Sequence, residues 1–266
     1  MPGPFFAPRW RLLAASLRAS VPSDCPLCTG RGRGGMLCAA CEDTICWTAR
    51  TPPGLGLPWR CGRCALPLPE HGTACPDCAG LAPAFSRTII AFDYAPPADA
   101  LILQLKNGRR YGRADLLGNL LAEAVRHQAR PLEPDTVLVP IPASFASLRR
   151  RGFNPAAEIA RALGRDLALP IRHDLLRRCR EQAKQSSLGR LGRRAAVRGL
   201  YACSPQAGGL RIGLVDDVMT TGSTLHAAAA ALRMAGAASV VALAVARTPG
   251  QFPAGFRAGP RAECRD

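Results

Sequence analysis

A chain of 266 residues is long enough for one ordinary domain and a small accessory one, and its 48% hydrophobic content is enough to build a true core. The formal net charge of +16, from 35 basic against 19 acidic residues, favours polyanionic partners such as nucleic acid, phosphorylated metabolites or an anionic membrane face. No apolar run approaches the ~20 residues that cross a bilayer, and Arg9, Arg11 and Arg18 interrupt the opening segment. Neither a transmembrane helix nor a secretory leader is therefore expected, and the protein is read as cytoplasmic.

Residues 1–24 read as a short amphipathic lead-in. From residue 25 to residue 85 the chain is rich in Gly, Pro and Cys and lacks convincing apolar periodicity. Four C-x-x-C pairs stand there: Cys25/Cys28, Cys38/Cys41, Cys61/Cys64 and Cys75/Cys78. A tight turn between two cysteines presents both thiolates to one tetrahedral Zn²⁺, and a segment without its own core gains its folding energy from the metal. Disulfides or a redox centre are the competing explanations; four evenly spaced pairs exceed what one redox centre uses, and cytosolic disulfides are rare. Sequential pairing is favoured, because it gives two zinc ribbons with short loops of nearly equal length. A nested arrangement joins the middle pairs instead; Cys46 and His71 are candidate substitute ligands and are read first as bystanders.

After residue 85 the pattern alternates as in α/β proteins. The segment 86–95 reads as a strand, 98–108 and 113–129 as helices, and 135–142 as a buried strand stopped by prolines. Residues 154–167 form the next expected helix, with Asn154 as cap and Pro155 in its first turn. The polar stretch 174–197 has no apolar face and reads as an exposed loop or hairpin; between Arg172 and Arg198 nine basic residues face Asp174 and Glu181, a net +7. A strand over 211–217, a helix over 223–236 and a strand over 239–247 complete the unit, and 248–266 is expected to fray.

The strand over 211–217 runs into "LVDDVMTTGSTL" (214–225). In a strand–turn–helix of this kind the amides of Thr220, Thr221, Gly222, Ser223 and Thr224 converge on one concavity, and the helix dipole adds positive potential. The hydroxyls supply further donors, so the turn suits a phosphate monoester. Asp216 and Asp217 are acceptors and suit the vicinal hydroxyls of a ribose; capping the helix or holding Mg²⁺ are their alternative roles. No Walker loop is present.

This stretch resembles the phosphoribosyl pyrophosphate motif of type I phosphoribosyltransferases. Taken with "CPLC", "CAAC", "CGRCALPL" and "CPDC", then "AFDYAPPADALILQLKNG", "VLVPIPAS" and "RRRGFNPAAEIAR", the chain over about 24–247 is similar to the ComF family of competence-associated, phosphoribosyltransferase-like proteins. The resemblance implies an α/β fold: a type I phosphoribosyltransferase-like parallel sheet flanked by helices over 86–247, preceded by a double zinc ribbon over 25–85 that holds two structural Zn²⁺. It implies that Asp216 and Asp217 take the ribose hydroxyls and that Thr220 to Thr224 take the 5′-phosphate, with Mg²⁺ bridging substrate oxygens. Val139, Pro140, Ile141 and Pro142 would begin the pyrophosphate loop, with Arg151 and Asn154 near it. Thr220 stands where the hypoxanthine–guanine relatives carry an acidic base, which disfavours that purine chemistry. Two functions stay open: a phosphoribosyltransferase with an unidentified acceptor, or a DNA-handling protein that uses phosphoribosyl pyrophosphate or a nucleotide only as ligand. Competence or DNA-processing proteins are the implied partners. The basic segment would close over substrate or grip single-stranded DNA, or be a solvated loop.

Overall fold

The computed structural model describes residues 20–50, 59–79, 82–107, 110–179 and 199–250. The N-terminal lead-in up to residue 19, most of the basic segment (180–198) and the tail from residue 251 lie outside the described residues.

The cysteine-rich region contains β1 (Pro22–Asp24) and β2 (Arg31–Arg33), an antiparallel pair, then α1 (Ala39–Arg50). A second antiparallel pair follows, β3 (Trp59–Arg60) with β4 (Pro67–Leu68). The helix α1 is a departure from the sequence reading, which gave this region no periodic segment. It starts directly after Cys38, so its first turn is anchored by the cysteine pair rather than by a long apolar stripe.

The remaining elements alternate: β5 (Thr88–Asp93), α2 (Asp99–Lys106), α3 (Gly112–Arg126), β6 (Val137–Pro140), α4 (Phe145–Arg151), α5 (Pro155–Leu167), β7 (Leu176–Arg178), β8 (Tyr201–Cys203), β9 (Arg211–Met219), α6 (Ser223–Met234) and β10 (Ser239–Arg247). Four of the strands form a parallel sheet in the order β5-β10-β9-β6. Parallel strands must be covered on both faces, and their apolar runs show it. Ile89, Ala91, Val215, Leu243 and Val245 pack with Leu117, Leu121 and Ile159 of α3 and α5 on one side. Ile90, Leu214, Ala242 and Ala244 pack with Leu225, Ala228 and Leu232 of α6 on the other. The two cysteine modules divide between these faces, Cys25, Leu37 and Ile45 joining the first cluster and Cys64, Ala65 and Leu66 the second. The carboxyl ends of β5, β9 and β10 therefore share one rim, with Arg247 in register with both Met219 and Asp93.

Asn154 caps α5 as its sequence promised, its side-chain oxygen accepting from the Ala156 amide at 3.2 Å, with Pro155 in the first turn. The helix α4 was not foreseen. Among its residues none is buried, so it leaves no apolar period to read; Ser144 at one end and Gly152 (φ 80) at the other define it instead. The polar stretch from 174 begins in a short hairpin, β7 pairing antiparallel with β8, whose connection falls outside the described residues.

The tightest crossing is between α3 and α5. A Cβ added at Gly118 would lie 2.4 Å from the Ala162 Cβ and 3.1 Å from the Ile159 carbonyl oxygen. Gly118→Val is expected to cost about 1–3 kcal/mol in urea unfolding. Gly112→Ala, at the start of the same helix with nothing within 4 Å, is expected to cost nothing.

Candidate functional site

The cysteines come together sequentially: Cys25, Cys28, Cys38 and Cys41 in one group, Cys61, Cys64, Cys75 and Cys78 in the other, with all sulfurs in each group within 4.8 Å. The nested alternative is excluded. His71 lies instead edge-on against the Trp59 ring, 4.5 Å between centroids, and the side chain of Cys46 lies outside the described residues. A tetrahedral Zn²⁺ with Zn–S bonds of about 2.3 Å requires sulfurs about 3.8 Å apart. The observed Cys28–Cys38, Cys64–Cys75 and Cys61–Cys78 separations are 3.6, 3.5 and 3.8 Å, which fit that requirement. The two first pairs also share a backbone knuckle. Thr29 and Ala65 adopt positive φ (61° and 55°) and return their amides to the carbonyls of Cys25 and Cys61 at 3.0 and 2.9 Å.

Four thiols packed this closely oppose one another's ionisation. A hydrogen bond from Cys64 draws Cys61 down to about 4, while the same contact and burial push Cys64 far up. Burial first, and then the charges of Cys61 and Cys75, push Cys78 up to about 12. In the first group burial opposes ionisation of Cys25, but backbone amides and the Cys28 thiol bring it to about 6, and burial with the neighbouring thiols raises Cys41. One thiolate per group is stabilised and the next is opposed; a divalent ion removes that opposition.

Asp216 and Asp217 sit near the carboxyl end of β9, which runs two residues further than expected. Lys106, the last residue of α2, reaches across to Asp217, Nζ to Oδ1 2.9 Å, both side chains largely buried (20% and 14% exposed). The Asp217 amide donates to Asp216 Oδ1 at 2.9 Å. Burial, then the Asp217 charge, pushes Asp216 up to about 7 against the weaker pull of Lys106 and Arg178. Asp216 thus keeps its proton in part near neutrality, and the Lys106 ammonium offsets charge on the pair.

The turn that follows is shaped by Gly222. Its φ is 73°, and a Cβ there would lie 2.5 Å from the Met219 Cε, so both torsion and space require glycine. The Thr221 and Ser223 hydroxyls bond each other at 2.7 Å, and Ser223 opens α6, whose first amides have no partner within the helix. Thr220 is exposed and Thr224 half-buried. Val139, Pro140 and Ile141 are buried and Pro142 half-buried, and the Ile141 amide donates to the Val215 carbonyl at 2.9 Å, so the "VPIP" stretch ends beside the acidic pair. Asn154 has both ends of its amide engaged, donating to the Ile141 carbonyl at 2.9 Å while capping α5; it shapes the loop. The Arg151 Nε is buried and makes no hydrogen bond among the described residues.

Four participants went unassigned or unnoticed in the sequence. Lys106 is one of only two lysines in this arginine-rich chain, which is the sequence signal that could have marked it. Arg178 lies over the Tyr201 ring (5.9 Å), and the Tyr201 hydroxyl is buried without a hydrogen bond among the described residues. Burial and the charge of Asp216 push that hydroxyl up to about 12. Beyond Arg178 a cleft of about 560 Å³ opens between Pro142, Phe145 and Leu148 on one side and His173, Leu176 and Arg177 on the other. Arg247 is the fourth. It is 1% exposed, ion-paired to Asp77 at 2.6 Å, and bonded to the carbonyls of Met219 (3.3 Å) and Thr220 at the turn.

No family model matches the chain. Curated relatives do. The DNA utilization protein YhgH of Escherichia coli O157:H7 is 32% identical over 86% of this chain and 99% of its own length. Competence protein F of Haemophilus influenzae is 27% identical over 79% and 90%. Competence protein ComFC of Bacillus subtilis is 40% identical over 111 residues, 40% of this chain and 41% of that one. Among solved structures, an allosteric regulatory enzyme of purine biosynthesis aligns with 22% identity and a TM-score of 0.32, over 49% of this chain and 25% of that one. Among the described residues no helix is long and apolar enough to cross a membrane.

Two outcomes follow from this geometry. Metal analysis of the purified chain is expected to give about two zincs, and changing Cys61 and Cys64 to Ser to remove one of them. For Asp216, the raised value in the folded chain means the unfolded chain ionises first. Stability should fall as pH rises from about 4 to about 7, by at most about 1.4 kcal/mol for each pH unit. Asp216→Asn should remove that fall in denaturant titrations across the range, gaining most against the parent above pH 7.

Proposed function

Since the chain belongs to the ComF family of competence and DNA-utilization proteins, we propose that it binds Mg²⁺-phosphoribosyl pyrophosphate at the rim formed by β9 and α6 and serves the uptake or use of DNA. The observation that carries the reading is the strand–turn–helix unit in which Asp216 and Asp217 stand a few residues before a glycine-dependent turn rich in hydroxyls. The two carboxylates accept hydrogen bonds from the ribose hydroxyls, and the amides and hydroxyls of Thr220 to Thr224 surround the 5′-phosphate. Lys106 yields Asp217 as the sugar arrives, and its ammonium is then free to meet substrate oxygens. Mg²⁺, a hard cation that keeps several waters, would sit against this acidic pair and offset the charge of the pyrophosphate.

On the far side the "VPIP" stretch, Val139 to Pro142, and the unpaired Nε of Arg151 suit the pyrophosphate, and the cleft beyond Arg178 leaves room for a further group. No acid stands at Thr220 to act as a base there. The names of the relatives supply the link to DNA, and the net charge of +16 suits a nucleic-acid backbone as well as a phosphorylated sugar.

Calorimetry with Mg²⁺-phosphoribosyl pyrophosphate is expected to show one site per chain, abolished by Asp216→Asn together with Asp217→Asn. Equal affinity in that double variant would sink the site. A pyrophosphate-release screen over bases and amines then separates a transferase from a protein that only holds the ligand.

A further inference from the structure

We propose that Arg247 is a positioning residue for the turn at Thr220 to Gly222, and that the second cysteine cluster is through it part of the phosphate site. The inference rests on the reading of that turn as a phosphate cradle and adds what holds the cradle in shape.

Arg247 closes β10 and is 1% exposed. A guanidinium carries its donors in a rigid planar fork, so its acceptors are held in one fixed arrangement. On one side of the fork are groups of the cysteine cluster. Nη2 donates to Asp77 Oδ2 at 2.6 Å and Nε to the Cys64 carbonyl at 3.1 Å. Asp77 lies between the ligands Cys75 and Cys78, and Cys64 is itself a ligand. On the other side Nη1 is shared by the carbonyls of Met219 (3.3 Å), Thr220 and Thr248 (2.8 Å).

The consequence for the turn follows from peptide geometry. In a planar trans peptide the carbonyl and the next amide point in opposite directions. Drawing the Met219 and Thr220 carbonyls onto Arg247 turns the amides of Thr220 and Thr221 away from it. Those are amides that the cradle requires on its open side. The Thr248 amide donates to the Met219 carbonyl at 3.0 Å and reinforces the same orientation.

Zinc in the second cluster fixes the Cys61–Cys64 and Cys75–Cys78 turns, and with them the Cys64 carbonyl and Asp77. If those groups drift, a fully buried guanidinium is left with unmatched donors, and it recovers acceptors only by pulling on the turn. Among the described residues the first cluster makes no hydrogen bond to this turn. Arg60 offers an internal control, because it pairs the same module to Asp93 through both carboxylate oxygens (3.0 and 2.8 Å) without touching the turn.

The test measures ribose 5-phosphate affinity by calorimetry, zinc content by metal analysis, and amide shifts of Thr220 to Gly222 in the full chain. Asp77→Asn is expected to keep both zincs, move those amide signals, and weaken ribose 5-phosphate by about tenfold. Asp77→Glu should recover part of the loss. Arg60→Lys, which loosens the module without reaching the turn, should leave affinity within about twofold. If Asp77→Asn loses a zinc, Arg247→Lys carries the test, since it keeps the charge opposite Asp77 and loses the fork. Unchanged affinity and amide signals in a variant that retains both zincs overturn the role of Arg247. A parent chain that binds no ribose 5-phosphate overturns the cradle reading and the inference with it.

Discussion

Two guanidinium–carboxylate pairs cross the seam between the second cysteine module and the sheet, and they run in opposite directions. Arg60 of the module holds Asp93 at the end of β5; Arg247 at the end of β10 holds Asp77 of the module. Because Arg247 and Asp93 are in register on adjacent strands, the two pairs lie side by side on one rim. Ion pairs so buried gain little net stability, since desolvation offsets the attraction. The docking energy comes from Cys64, Ala65, Leu66 and Phe85 packing with Met219 and the β10 alanines. What the pairs add is registration: a module displaced along the seam would bury unpaired charge.

The same rim faces a second electrostatic difficulty. Two adjacent carboxylates have to stand in a partly buried place, in a chain whose excess charge lies almost wholly on arginine. An arginine opposite Asp217 would bind it in a fork and release it reluctantly. Lys106 places a compact single charge there, held by one 2.9 Å contact. Asp216 answers by holding its proton up to about neutrality. With Lys106 beside Asp217 and Asp216 partly protonated, the charges of the rim offset one another.

Much of this was legible beforehand for a physical reason. Parallel strands buried on both faces leave continuous apolar runs, and the helices over 99–106, 112–126, 155–167 and 223–234 each repeat their apolar residues at helical spacing. The Thr/Gly turn and the C-x-x-C pairs announce themselves through torsion and ligand geometry. What was not legible depends on contacts distant in sequence. The helix α4 buries nothing and so has no period. Arg247 reads as an ordinary strand-end arginine, and Asp77 as a polar residue inside a knuckle; their meaning exists only across 170 residues of intervening chain. The sequential pairing of the cysteines is favoured by its short, nearly equal loops, and the fold excludes the nested scheme.

The two cysteine clusters repeat one local structure but stand behind different parts of the rim. In the first, Pro26 lies between the ligands Cys25 and Cys28, and its carbonyl accepts from the Gln104 side chain at 3.1 Å. Gln104 in turn accepts from Arg113 at 2.8 Å, and Arg113 donates to the Gly35 carbonyl at 3.3 Å. Gln104 is two residues before Lys106 on α2, so this cluster braces the helix that supplies the cation to Asp217. The second braces the turn after Asp217 through Arg247. A sheet alone fixes the positions of its strand ends, not the angle of a helix that approaches them or the peptide planes of a turn that leaves them. Small metal knuckles can fix both because their own shape depends on four sulfurs rather than on a large core. The acidic pair is therefore set between two rigid supports of the same kind, one governing the group that neutralises it and the other the turn beside it.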